Sequence, residues 1–209
     1  LEEVRSYDIK FANIHSSKDG RYVLDTFFIG ELTPTNLNDP DVKDKMTKLK
    51  EIVGADDEII TEFFESLSME YCRNINMPRL ERHFKIFQRV KGLEEIKLYL
   101  DNDAYPENTR LIIATMNTPS TGYFLQIVKI LCHYKIKIYR AYVDVMAKDP
   151  TDAVSIVSLY ITDENGNKID IFEDKWATVR QNLRNVKWVE EDELDELYSK
   201  LNLTTNMVS

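Results

Sequence analysis

The chain has 209 residues, 43% of them hydrophobic, which is enough for a packed core and argues against disorder by composition. Its 27 Lys and Arg against 36 Asp and Glu leave a net charge of −9, so it has no general attraction for phosphate backbones and nucleic acid is not an expected partner. No apolar run approaches the ~20 residues that span a bilayer, and no signal peptide is visible. We therefore expect a cytoplasmic protein with no membrane partner.

The opening residues up to Ser6 read as a helix tail. Tyr7 to Ser17 has strand character, with Ile9, Phe11 and Ile14 as inward candidates. Lys18-Asp19-Gly20 is a hairpin turn signal, because Asp-Gly supplies the positive φ such a turn needs. Tyr22 to Ile29 is the returning strand, rich in β-branched and aromatic residues. "LTPTNLNDP" (32–40) breaks both regular periods and reads as a loop. Asp39 or Asp41 can cap a helix over 41–53 marked by Val42, Met46, Leu49 and Val53, and Gly54 stops it. Ile59, Ile60, Phe63, Phe64 and Leu67 then form a stripe at helical spacing, and Leu80, His83, Phe84 and Phe87 form another. Residues 55–92 carry too many aromatics for a free linker and read as a packed helical connector.

The second half is more regular. Strands are expected at 94–100 and 109–117. A helix over 120–135 buries Phe124, Ile127, Val128, Leu131 and Cys132. Strands follow at 136–146 and 153–162, then a turn at 163–168, a helix at 173–184, a short strand "VKWV" (186–189) and an acidic helix at 190–202. From 109 to 189 the order is β-α-β-β-α-β, the split βαβ or ferredoxin-like unit, an α+β arrangement of antiparallel sheets with both helices on one face.

The opening hairpin can be laid on the hairpin of that unit. Ala12 falls on Ala141 at an offset of 129, and Phe27 and Ile29 fall on Leu159 and Ile161 at an offset of 132. The difference of three residues sits in the turn, where insertions are tolerated. Residues 7–53 thus read as strand 2, strand 3 and helix 2 of an earlier copy, whose first strand and most of whose first helix would lie upstream. The division expected is 1–54 for the back half of a first unit, 55–92 for the connector and 93–209 for a second, complete unit.

Chemistry-bearing residues are sparse. His15, His83 and His133 show no metal-ligand spacing, and no Ser/His/Asp or Cys/His set can be assembled. No catalytic or metal residue is assigned. Cys72 and Cys132 read as buried reduced thiols, not as a disulfide. Tyr99, Tyr139, Tyr142 and Tyr160 lie on strands. The same strand order serves RNA-stacking sheets, but the acidic balance speaks for packing on the connector or on another subunit. The loop Asn117, Thr118, Pro119, Ser120, Thr121, Gly122 precedes a helix, and its free N–H groups suit a carboxylate. Ser120 or Thr121 capping that helix is the plainer alternative.

"TRLIIATMNTPSTGYFLQIVKILCHYKIKIYRAYVDVM" resembles an ACT domain, through Pro119 and Gly122 in the loop and through Ile136, Ile138 and Ala141 on the next strand. "KDGRYVLDTFFIG" looks like that family's second hairpin, with Asp25, Phe27 and Ile29. Two departures stand out: the loop is about two residues longer, and Lys135 stands where the family usually has Gly. Tandem ACT units occur in large NAD-dependent glutamate dehydrogenases and in nitrogen-regulatory nucleotidyltransferases. The connector "ITEFFESLSMEYCRNINMPRLERHFKIF" is similar to the segment between regulatory units of the dehydrogenases. The resemblance implies a non-catalytic regulatory and assembly segment of such an enzyme. NAD would be bound elsewhere in the parent oxidoreductase, since neither G-x-G-x-x-G nor a P-loop occurs here. It further implies contacts with other domains of the same polypeptide, homo-oligomers through ACT sheets, and a small amino acid held by Asn117, Thr118, Ser120, Thr121 and Gly122 as allosteric ligand. A sensor segment of a nucleotidyltransferase and a purely architectural module remain the alternatives.

Overall fold

The computed structural model describes residues 9–16, 23–29, 33–118, 122–148 and 152–188, with the first two segments as backbone only. The expected opening helix tail, the turn at Lys18-Asp19-Gly20 and the helix at 190–202 lie outside the described residues.

Among the described residues six strands form one antiparallel sheet in the order β2-β1-β5-β6-β4-β3. They are β1 (Ile9–Ser16), β2 (Val23–Ile29), β3 (Lys97–Asp101), β4 (Thr109–Met116), β5 (Lys137–Met146) and β6 (Val154–Thr162). Helices α1 (Pro40–Val53), α2 (Asp57–Glu65), α3 (Met69–Asn74) and α4 (Met77–Val90) precede β3, while α5 (Tyr123–His133) follows β4 and α6 (Asp174–Asn185) follows β6. No helix among the described residues is long and apolar enough to cross a membrane.

Side-chain alternation sorts the core into two halves. Leu111, Ile113, Ala141, Val143, Val157, Leu159 and Ile161 face α5 and α6, where Ile127, Ile130, Leu131, Trp176, Val179 and Leu183 meet them. The residues of opposite parity, Ile112, Ala114 and Ile156, together with Met146 and Val154, face α1–α4. At the centre of that second half Phe63 meets Phe64, Phe84 and Phe87 edge-on, with centroids 5.8, 5.2 and 5.3 Å away. Strand β6 is buried along its whole length because both of its faces are covered.

This is an α+β fold, with two corrections to the expected arrangement. Helices cover both faces of one continuous sheet, not one face of separate sheets. Helix α1, expected as helix 2 of a first copy, packs with α2 and α4 in the layer opposite α5 and α6. The second correction concerns the fourth strand. Residues 186–188 form a turn closing α6, and β3, which lies upstream, pairs antiparallel with β4 where that strand was expected. The β5-β6-β4-β3 portion, with α5 joining β4 to β5 across β6, remains compatible with a ferredoxin-like unit.

The helix ends follow local chemistry. The Asp39 carboxylate accepts from the N–H groups of Asp41 (3.0 Å) and Val42 (3.4 Å), with Pro40 opening α1 and Gly54 closing it at φ 65°. Ser68 caps α3, and Asn76 caps α4. The buried residues of α5 are Tyr123, Gln126, Ile127, Ile130 and Leu131, so its inward face is rotated from the one expected. Cys132 is consequently exposed, not buried, while Cys72 is buried.

The registers of the two hairpins match at the offsets read from the sequence. Ala12 pairs with Phe27 in β1–β2, and the corresponding Ala141 pairs with Leu159 in β5–β6. The register shifts between Ile9 and Phe11 in one ladder and between Ile138 and Arg140 in the other, which are corresponding positions at the same offset of 129. β1 also pairs with β5, and there Asn13 faces Tyr142, its own counterpart, with Ala12↔Val143 and Ile14↔Ala141 on either side. A local pseudo-two-fold axis therefore passes through the Asn13–Tyr142 pair.

Candidate functional site

The loop after β4 holds part of the residue set expected to bind an amino acid. Asn117 adopts φ 54°, a left-handed conformation tolerated by Asn, and its N–H donates to the Ala153 carbonyl at 2.8 Å. Thr118 Oγ1 lies 3.0 Å from Ser155 Oγ. Gly122 takes φ 77° at the start of α5. Ser120 and Thr121 lie outside the described residues, as does Pro119. Gly122 is the N-cap position and supplies no side-chain acceptor, so among the described residues no side chain caps the first N–H groups of α5.

A lysine braces this loop from below. Lys187 Nζ, although at the surface end of α6, has a largely buried side chain; it donates to the Met116 carbonyl at 2.8 Å and pairs with the Glu94 carboxylate. That pairing, with a hydrogen bond from Asn117, holds the Glu94 carboxyl below its usual range. The Lys187 charge is thus already matched by Glu94, whereas the backbone N–H groups at the helix start suit a carboxylate.

A second constellation lies on the opposite face, between α4 and the sheet. His83 is fully buried and its Nδ1 sits 2.8 Å from the Tyr71 hydroxyl, while its Nε2 has no partner among the described residues. Burial holds its imidazole well below the usual value, and Arg79, Arg82 and Arg110 push the same way. Arg79 pairs with buried Asp144 at 2.5 Å and lies 4.6 Å over the Tyr142 ring. Beside it opens a cleft of about 350 Å³, lined by Arg82, Lys85 and Arg89 of α4 and by Tyr99, Asp101 and Arg110 of β3 and β4. Sequence reading placed His83 in an apolar stripe but missed the cleft. Arg82 and Arg110 lie on different elements, and no short-range spacing joins them.

No group of three or more His, Cys, Asp or Glu able to hold a metal occurs among the described residues. The described residues do not fit NAD either: every strand pairing is antiparallel, and the glycine-rich strand-to-helix turn of a dinucleotide site is missing from the sequence. No protein-family model matches the chain, and no curated protein matches it. What the fold defines is an α+β domain with one antiparallel sheet between two helical layers.

Proposed function

We propose that this chain is a non-catalytic regulatory and assembly segment built from ACT-like units, belonging to a large NAD-dependent glutamate dehydrogenase whose NAD-binding and catalytic domains lie elsewhere in the polypeptide. The observation that carries this reading is the pairing of β1 with β5 through counterpart residues Asn13 and Tyr142, together with the matching registers of the two hairpins. Regulation is then a matter of contact. Two related hairpins share one sheet, and a ligand that binds one arrangement of the units better than another shifts the balance between them. The ligand is a small amino acid, its carboxylate at the start of α5 beside Asn117, Thr118 and Gly122, with Ser120 and Thr121 completing the loop in sequence.

Calorimetry and thermal-shift measurement against a panel of amino acids test the ligand. One of them should give heat and a raised melting temperature, and Thr118→Val should weaken it. No heat and no shift with any amino acid removes the sensing role and leaves assembly alone. The parentage is tested separately, by the reading frame that encodes this segment: one lacking a dehydrogenase domain overturns it.

A further inference from the structure

The cleft under α4 is cationic in a chain that is acidic as a whole. Lys85 is matched by Glu81 and Arg110 by Asp101, both at 2.5 Å. Arg82 and Arg89 have no carboxylate within ion-pair distance among the described residues, so two positive charges line the cleft unmatched. Arg82 is only partly exposed, and the Nε atoms of both Arg82 and Arg110 are buried without a hydrogen-bond partner. Desolvation and the neighbouring Arg110 and Arg79 disfavour the charge on Arg82, yet a guanidinium stays charged in proteins. Two guanidinium groups, Arg82 and Arg89, thus line an open space with no carboxylate matched to them, which suits an anion site more closely than a structural one. The walls beyond them, Tyr99, Ile86 and Ile112, are apolar.

We propose that the cleft between α4 and strands β3 and β4 binds a small phosphate monoester of nucleotide size, its phosphate at Arg82 and Arg89 and its body against Tyr99 and Ile86. A phosphate monoester carries about −1.5 to −2 charges at neutral pH and so matches the surplus of two, where a single carboxylate does not. The volume is in the range of small-molecule sites, roughly 300–1,000 Å³. The overall charge of −9 selects against long polyanions, which leaves a small ligand. This site is on the face of the sheet away from α5 and does not depend on the ACT-like reading.

Titration calorimetry at low salt with adenosine monophosphate, inorganic phosphate, adenosine and succinate tests the proposal. Adenosine monophosphate should bind most tightly, phosphate more weakly, and adenosine not at all. Arg82→Gln should weaken adenosine monophosphate by about tenfold or more, the loss expected for a charge-assisted hydrogen bond. Because Arg82 is unpaired, the ligand-free variant should melt at the same temperature or higher, a readout that a purely structural arginine would move downward. Arg89→Gln repeats the test at the second unmatched charge. The proposal is overturned if adenosine monophosphate gives no heat, if adenosine binds as tightly, if succinate binds more tightly, or if neither variant changes the affinity.

Discussion

Arg79 reaches from the first turn of α4 to Asp144 on β5, a separation of 65 residues closed to 2.5 Å, and thereby fastens the helical connector to the sheet. Burial pushes the Asp144 carboxyl above its usual value, and the Arg79 charge opposes that rise without cancelling it. Arg79→Met should therefore destabilise the protein by about 3–5 kcal/mol at neutral pH, because it strands a buried carboxyl. The cost should grow with pH. Without Arg79 the folded protein must hold a proton on Asp144 that the unfolded chain has released, at up to about 1.4 kcal/mol per pH unit. Replacing both residues, Arg79→Met with Asp144→Leu, should recover most of the loss and flatten the pH dependence. Urea unfolding between pH 5 and 8 measures all three, and a single-variant cost independent of pH would count against the buried carboxyl as its source.

His83 carries the opposite sign. Its folded value is depressed, so below about pH 6.5 the unfolded chain binds a proton that the folded protein refuses. Stability contributed by neutral His83 is present above that pH and is lost as pH falls through the window toward the folded value. His83→Gln keeps a partner for the Tyr71 hydroxyl and removes the titration. The wild-type melting temperature should fall more steeply than that of the variant from pH 7 to 5. Parallel slopes would mean that His83 becomes protonated in place.

Much of the hairpin architecture was legible in the sequence, because register is written in alternation and in turn length. The three-residue difference between the offsets at Ala12 and at Phe27 is the difference between two turns, and the ladders obey it. What was not legible depends on contacts between distant segments. "VKWV" alternates like a strand, but Lys187 is drawn to Glu94 and the Met116 carbonyl and residues 186–188 turn instead. The place at the edge of β4 goes to "KLYLD", which lies upstream and which no local pattern assigns there. The loop before α5 was legible as a helix start. The Arg82–Arg110 cleft was not, since it exists only once α4 lies on β4.

The pseudo-two-fold at Asn13 and Tyr142 bears on self-association. Removing residues 1–32 exposes the β5 edge while keeping the anchors of the next segment, among them the Thr35 hydroxyl donating to the Leu67 carbonyl at 2.7 Å. An unpaired edge is a template for another chain. The truncated protein should dimerise through β5, with Tyr142 near the new axis, seen as a doubled mass by light scattering. A monomer whose β5 amides exchange as slowly as before would contradict the β1–β5 ladder.

The end of α5 explains why a glycine suits the position of Lys135. Ile136 N–H donates to the Leu131 carbonyl and Lys135 N–H to the Cys132 carbonyl, both at 2.9 Å, which is the Schellman closure, and Ile136 and Leu131 share the core above it. That closure forces Lys135 to φ 55°, a conformation that costs a residue with a Cβ roughly 1–2 kcal/mol. Lys135→Gly removes the strain and adds some unfolded-chain entropy, so the net gain should be about 0.5–1 kcal/mol. It also removes an exposed lysine whose ion pair with Glu164, at 3.4 Å, adds little. Lys135→Val, β-branched, should lose stability instead. Equal midpoints for glycine, lysine and valine in urea unfolding would show that the left-handed turn is not retained in solution.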